Sequence, residues 1–97
     1  MPNNNENKYI DNEFNLAIAA VLKKIRKRKG YSLEELSNRI NHIVSRQMLF
    51  KYEKCQARIK VDTFNKICFA LDTNPKEIWK QANEYMALNN EEKNNEI

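Results

Sequence analysis

Glycine is almost missing from this chain: Gly30 is the only one in 97 residues, beside two prolines, two cysteines and a single histidine. With one glycine there is no Gly-rich loop of the kind that cradles phosphates in nucleotide-binding enzymes. Cys55 and Cys68 form no metal-spaced pair, and His42 has no Cys, Asp or Glu cluster at ligand spacing. Neither a metal centre nor a cofactor is therefore expected, and His42 reads as a turn-surface residue. No apolar run is long enough to span a bilayer. The N-terminus is polar and Asn-rich, without the apolar segment of a secretory signal. The cysteines accordingly read as reduced thiols of a cytoplasmic protein, with Cys68 in the core. No activated nucleophile or paired general acid and base is visible, so the chain is not expected to be an enzyme.

What the chain has in excess is positive charge, unevenly placed. From Phe14 to Ala82 there are 15 Lys/Arg against 6 Asp/Glu, a net +9; the flanks, 1–13 and 83–97, carry 2 against 7, a net −5. The overall +4 hides a basic middle between acidic ends. Such asymmetry fits a nucleic-acid partner, and equally a solvated Lys-rich surface.

Length suggests one domain. Residues 1–11 are polar and Asn-rich and are expected to form a disordered arm. A helix is predicted from Asn12 or Glu13, with Phe14, Ile18, Val21, Leu22 and Ile25 on one stripe. Its basic end, Lys23 to Lys29, suits the helix dipole, and Gly30 stops it. A second helix spans about Leu33 to Ile40, and Asn41, which tolerates a left-handed backbone, closes it. A third follows Ser45 and ends near Lys54. A fourth starts near Val61 and packs through Phe64, Ile67, Cys68 and Leu71. Asn74-Pro75-Lys76-Glu77 opens a fifth, with Ile78, Trp79, Ala82, Tyr85 and Met86 on one stripe. Residues 89–97 are expected to be a disordered acidic, Asn-rich tail, so that the folded domain covers 12–88. No strand pattern appears.

The most informative stretch is Ser32 to Glu53, which holds two helix starts. Ser32 and Glu35 have the spacing of a capping box, and Ser45 suits an N-cap. Behind Ser45, Leu49, Tyr52 and Met48 can pack inward, and Arg46, Gln47, Phe50 and Lys51 point outward. An exposed helix start carrying Arg and Gln is suited to reading base edges. Two short helices divided in this way look like a helix-turn-helix with the second as recognition helix.

In this order, with Leu22 and Arg26 before Gly30, Ser32-Leu33-Glu34-Glu35-Leu36, Ser45-Arg46-Gln47, Tyr52-Glu53, then Val61, Phe64, Ile67, Ala70-Leu71 and Ile78, the chain resembles the Cro and phage-repressor family of helix-turn-helix proteins. The resemblance covers about Ile18 to Trp79. It implies an all-α fold, a compact bundle of five helices, and sequence-specific binding of double-stranded DNA. Arg46, Gln47 and Lys51 fall where such proteins touch base edges, with Phe50 between them. Ser32, Ser45, Lys54, Gln56, Arg58 and Lys60 fall near phosphate-holding positions. Arg26 and Glu53 match a structural ion pair.

Three departures stand out. The segment between Ser37 and Glu53 is two residues longer than usual, with the insertion around His42-Ile43. Asn41 replaces a small turn residue. Cys55 replaces the glycine that commonly follows the recognition helix. The resemblance implies a bacterial or phage-type transcriptional repressor acting by operator occlusion as a homodimer. Trp79, Tyr85 and Met86 are the candidate dimer interface, although Trp79 alone reads better as core. The alternative is a helix-turn-helix module used mainly for protein binding, such as an antitoxin-like or inhibitor adaptor. A structural nucleoid factor with little sequence preference is a weaker third.

Overall fold

The elements follow from their local signals. The computed structural model describes residues 9–95, and five helices account for most of them: α1 Asn12–Arg28, α2 Leu33–Arg39, α3 Arg46–Glu53, α4 Val61–Ala70 and α5 Pro75–Asn95. Ser32 caps α2: its Oγ accepts from Glu35 N–H at 3.0 Å, while Glu35 Oε1 accepts from Ser32 N–H at 3.2 Å. Ser45 Oγ accepts from Met48 N–H at 3.1 Å and opens α3. Asn74 Oδ1 accepts from Lys76 N–H at 2.9 Å ahead of Pro75.

Four helices end in one way. The residue after the C-cap adopts a left-handed backbone, and its N–H and the next bond back to the last-turn carbonyls. Gly30 does this for α1 at φ 78°, with Tyr31 N–H on Arg26 O at 3.1 Å. Asn41 (φ 53°), Cys55 (φ 58°) and Asp72 (φ 52°) do it for α2, α3 and α4 without being glycine. Asn and Asp tolerate this conformation, whereas Cys has no such excuse and is strained by about 1–2 kcal/mol. His42 is left-handed as well, at φ 59°. Two consecutive left-handed residues are how the lengthened turn reverses the chain.

α1 packs along α5, α2 and α4 meet, and α3 sits against α1 and α2. Ile18, Leu22, Ile25, Leu36, Leu49, Phe64, Ile67, Leu71 and Ile78 form the shared core. Burial of this apolar surface is the main force holding five short elements together. Trp79 is half-buried, with its ring 4.4 Å from Phe14 and 5.6 Å, edge-on, from Phe64.

Two boundaries differ from the sequence expectation. The end of the N-terminal arm is docked: Ile10 is buried, its N–H donates to Ile59 O at 2.8 Å, and Tyr9 pairs with Lys60 in an isolated antiparallel bridge. Ile10 supplies apolar area and a backbone partner that a polar tract lacks. At the other end, α5 continues through Asn95; the Asn/Glu-rich stretch contains no Gly or Pro to stop it. Residues 1–8 and 96–97 of the expected arm and tail lie outside the described residues.

Candidate nucleic-acid interface

α3 is a short helix with one buried residue, Leu49, which anchors it to the core. Tyr52 is half-buried beside it, and desolvation raises its phenol pKa above the ordinary value, against the lowering effect of a hydrogen bond with Thr63. Met48, which the sequence allows inward, is instead exposed, because Leu49 and Tyr52 take the core-facing positions. Arg46, Gln47, Phe50 and Lys51 are all exposed, so the four expected base readers share one solvent-facing surface. Lys54 Nζ sits 5.6 Å from the Phe50 ring centroid, which draws the first residue of the following loop toward that surface.

Two polar ties hold α3. At its end, Arg26 donates to both carboxylate oxygens of Glu53, at 2.7 and 2.9 Å, and a third time to Tyr31 O at 2.6 Å. Both side chains are only 10% exposed. The expected ion pair is thus present, and it joins α1, the α1–α2 turn and the end of α3. At its start, the buried Ser37 hydroxyl donates to Val44 O at 2.7 Å, immediately before the Ser45 cap. Nothing in the spacing singles out Ser37; a buried serine on α2 becomes informative only when the turn carbonyl it satisfies is known.

The expected phosphate contacts sit at helix starts and in the loop after α3. Ser32 and Ser45 each use an oxygen lone pair in capping, which leaves the hydroxyl proton free to donate to a phosphate. Lys54, Gln56, Arg58 and Lys60 are exposed. Between Ser45 and Lys60 the only carboxylate is Glu53, which Arg26 already engages. Among the described residues, Arg46, Lys51, Lys54, Arg58 and Lys60 make no ion pair and present positive charge. Arg58 also has a role that sequence reading missed: its Nε donates to Ile10 O at 2.8 Å, and its guanidinium lies over the Tyr9 ring, as does Lys60. Buried Asn15 completes this clamp, its Oδ1 accepting from Ile59 N–H at 3.0 Å. The arm's last residues thereby brace the loop that leads from α3 into α4.

The proposed interface stripe on α5 needs correcting. Trp79 and Met86 pack against the chain's own core. Of the three, only Tyr85 remains exposed; Leu88 on the same helix and Leu16 on α1 are exposed large apolar residues that the stripe omitted. Cys68 is buried, and burial pushes its thiol up to about 12; Cys55 is exposed, with its thiol raised by partial desolvation. Neither thiol is activated. Among the described residues, no group of three or more His, Cys, Asp or Glu could hold a metal, and no helix is long and apolar enough to cross a membrane.

A five-helix bundle whose α2 and α3 meet across a turn, with α3's polar face outward, is a helix-turn-helix protein. The sequence model of the family described as Helix-turn-helix matches residues 22–78. The chain belongs to this family, the Cro and phage-repressor type. A solved structure, that of the clp gene regulator ClgR from Corynebacterium glutamicum, is similar to it, with 25% identity and a TM-score of 0.77 over 84% of this chain and 84% of that one. No curated protein matches the sequence. Family and structural likeness together support a DNA-binding transcriptional regulator.

Proposed function

We propose that the protein is a sequence-specific repressor that binds duplex DNA through α3 and acts by occluding the operator. The observation that carries this reading is the composition of α3: a Ser45-capped helix start with Arg46, Gln47, Phe50 and Lys51 all exposed and only Leu49 buried. Arg46 and Gln47 stand in the first turn, where a helix lying in the major groove meets base edges. Phe50 offers an apolar surface to a thymine methyl. Ser32, Ser45, Lys54, Gln56, Arg58 and Lys60 hold the flanking phosphates. The reading is favoured by a basic loop after α3 whose one carboxylate-bearing neighbour at the helix end, Glu53, is already paired with Arg26.

The protein acts as a homodimer in this proposal, because one small domain makes few contacts and pairing of half-sites multiplies them. The surface we assign is Tyr85 with Leu88 and Leu16, in place of the stripe through Trp79 and Met86. Tyr85 and Leu88 line one groove with Ala20 between α1 and α5, and Leu16 lies one helical turn before Ala20. Adjacent half-sites require such a contact to set the two α3 helices about one DNA turn, roughly 34 Å, apart. The Tyr85→Glu, Leu88→Glu variant should stay helical by circular dichroism, sediment as a monomer and bind single half-sites weakly. A variant that keeps the wild-type mass and affinity would move the interface elsewhere.

Salt-titrated binding to selected and random duplexes tests the reading as a whole. A repressor of this kind separates the two by about a thousandfold or more at physiological salt. Equal affinity for both would point to a packaging role, and no affinity for either to a protein-binding module. Arg58→Ala should weaken all duplexes alike and make the salt slope shallower by about one unit. An unchanged slope would leave Arg58 as an arm anchor alone.

A further inference from the structure

Phe69 is the most exposed large apolar side chain among the described residues, at 85% of its surface. It projects from α4 between two buried neighbours, Cys68 and Ala70. Ile43, 62% exposed, projects from the turn between α2 and α3. The two line one shallow depression with buried Ile40, rimmed by Arg39, Asn65 and Lys66. A single exposed hydrophobe is ordinary. Two of the chain's most exposed ones, brought together from elements far apart in sequence, make a contact surface. The backbone explains half of it: Asn41 and His42 are both left-handed, and the chain leaves them with Ile43 outward and Val44 inward.

The rim settles the chemistry of what fits there. No carboxylate lines the depression. Among the described residues Lys66 makes no ion pair. Arg39 is already engaged: its guanidinium donates to Ala70 O at 2.7 Å and to Asp72 at 3.3 Å and lies over the Tyr31 ring, which leaves Lys66 as the free charge of the rim. An occupant must therefore bring apolar side chains to the centre and negative charge to the edge. A nucleic acid supplies the charge without an apolar ridge. A second copy meeting this face two-fold would bring the same carboxylate-free lining to it, with no negative charge for Lys66.

We infer that this depression receives an acidic amphipathic helix of a protein partner, with Leu- or Phe-type side chains on Phe69 and Ile43 and a carboxylate facing Lys66. The fit follows the helix-in-groove mode, in which one apolar helical face carries the contact. Its location gives the contact a consequence. Ile43 adjoins Val44, whose carbonyl Ser37 holds, and Ser45, which caps α3. A helix seated on Ile43 grips the turn that sets where α3 begins, so partner binding and DNA reading are linked.

The probe is a synthetic amphipathic helical peptide with Leu at helical spacing on one face and Glu along both flanks, compared with the same peptide carrying Lys in place of Glu. Amide shifts of the isotope-labelled full chain report where each binds. The acidic peptide should shift Ile43, Lys66 and Phe69, and bind at least about tenfold more tightly than its Lys counterpart. Phe69→Ser should abolish that binding, and Lys66→Glu should reverse the preference between the peptides. Both positions are exposed, and circular dichroism checks that both variants fold. The inference is overturned if the acidic peptide gives no shifts, if the shifts lie elsewhere, or if both peptides bind alike. It is also overturned if Phe69→Ser changes the protein's mass in sedimentation, which would make the patch a contact between copies. DNA affinity does not enter the readout, so a failure of the repressor reading leaves the peptide result standing.

Discussion

α3 and α4 are neighbours of similar length held in place by opposite means. α4 buries Phe64, Ile67, Cys68 and Ala70 and needs no side-chain cap at its start. α3 buries Leu49 alone, and its ends are held by polar contacts: Ser37 on Val44 O before it, and Arg26 on Glu53 at its last residue. The difference follows from what each must show to solvent. A helix whose outer face carries Arg46, Gln47, Phe50 and Lys51 has little apolar surface left to bury. Directional bonds to fixed partners then set its position, where α4 relies on non-directional burial. Of the two, α3 is thus the more sensitive to single polar changes.

The largest expected effect comes from breaking the tie at the end of α3. Arg26→Ala strands the Glu53 carboxylate in a nearly closed site and should cost about 3–5 kcal/mol in urea unfolding. The double variant Arg26→Met, Glu53→Leu should recover most of that loss, since a buried pair is often replaceable by apolar side chains of similar volume. Its DNA affinity should stay low, because α3 would keep its burial and lose its orientation. Recovery of both stability and affinity would show that the pair does not orient α3.

Ser37→Ala tests the other end. It leaves Val44 O unsatisfied in a buried site, for about 1–3 kcal/mol. Amide exchange should quicken first in the turn and the opening of α3, while α4 amides keep their protection. Uniform quickening across both helices would mean that the turn is not a separate support.

A smaller change runs the other way. Cys55 sits left-handed at φ 58°, and Cys55→Gly should stabilise the fold by about 1 kcal/mol, read as a higher urea midpoint. No gain would mean that the loop absorbs the strain.

A further effect concerns pH and α4. Burial lifts the Cys68 thiol from its ordinary 9.0 to about 12. A group that stays protonated longer when folded contributes stability below its unfolded pKa, and loses it as pH rises toward the folded value. Stability should therefore decline above pH 9. Cys68→Ala, weaker at neutral pH through lost packing, should decline less steeply over that range. Parallel declines would assign the alkaline loss to other groups.

How much of this was legible in the sequence depends on how local each signal is. Ser32, Ser45 and the Asn74-Pro75 start announce themselves within four residues, and the structure shows each of them capping a helix. Arg26 and Glu53 lie 27 positions apart, and only the family resemblance links them. The docking of Ile10 on Ile59, and of Arg58 on Tyr9 and Ile10, has no periodicity to betray it, because one apolar residue after a polar tract makes no stripe. Composition mistook the end of α5 for coil, since Asn and Glu favour solvent without forbidding a helix. Trp79 and Met86 fall on the same stripe as Tyr85, but no spacing tells which of the three the core takes in. Phe69 lies off the buried stripe of α4, so its exposure could have been read; that Ile43 meets it needed the turn geometry.

If the outward face of α3 meets base edges as proposed, in vitro selection of bound duplexes, run in parallel on the wild-type chain and on Gln47→Ala, will show it. An enriched site is expected for the wild type and, for the variant, the same site with preference relaxed at one or two positions per half-site, each worth about 1–3 kcal/mol of discrimination. Identical site preferences for the two proteins, or no enrichment by the wild type, would contradict it.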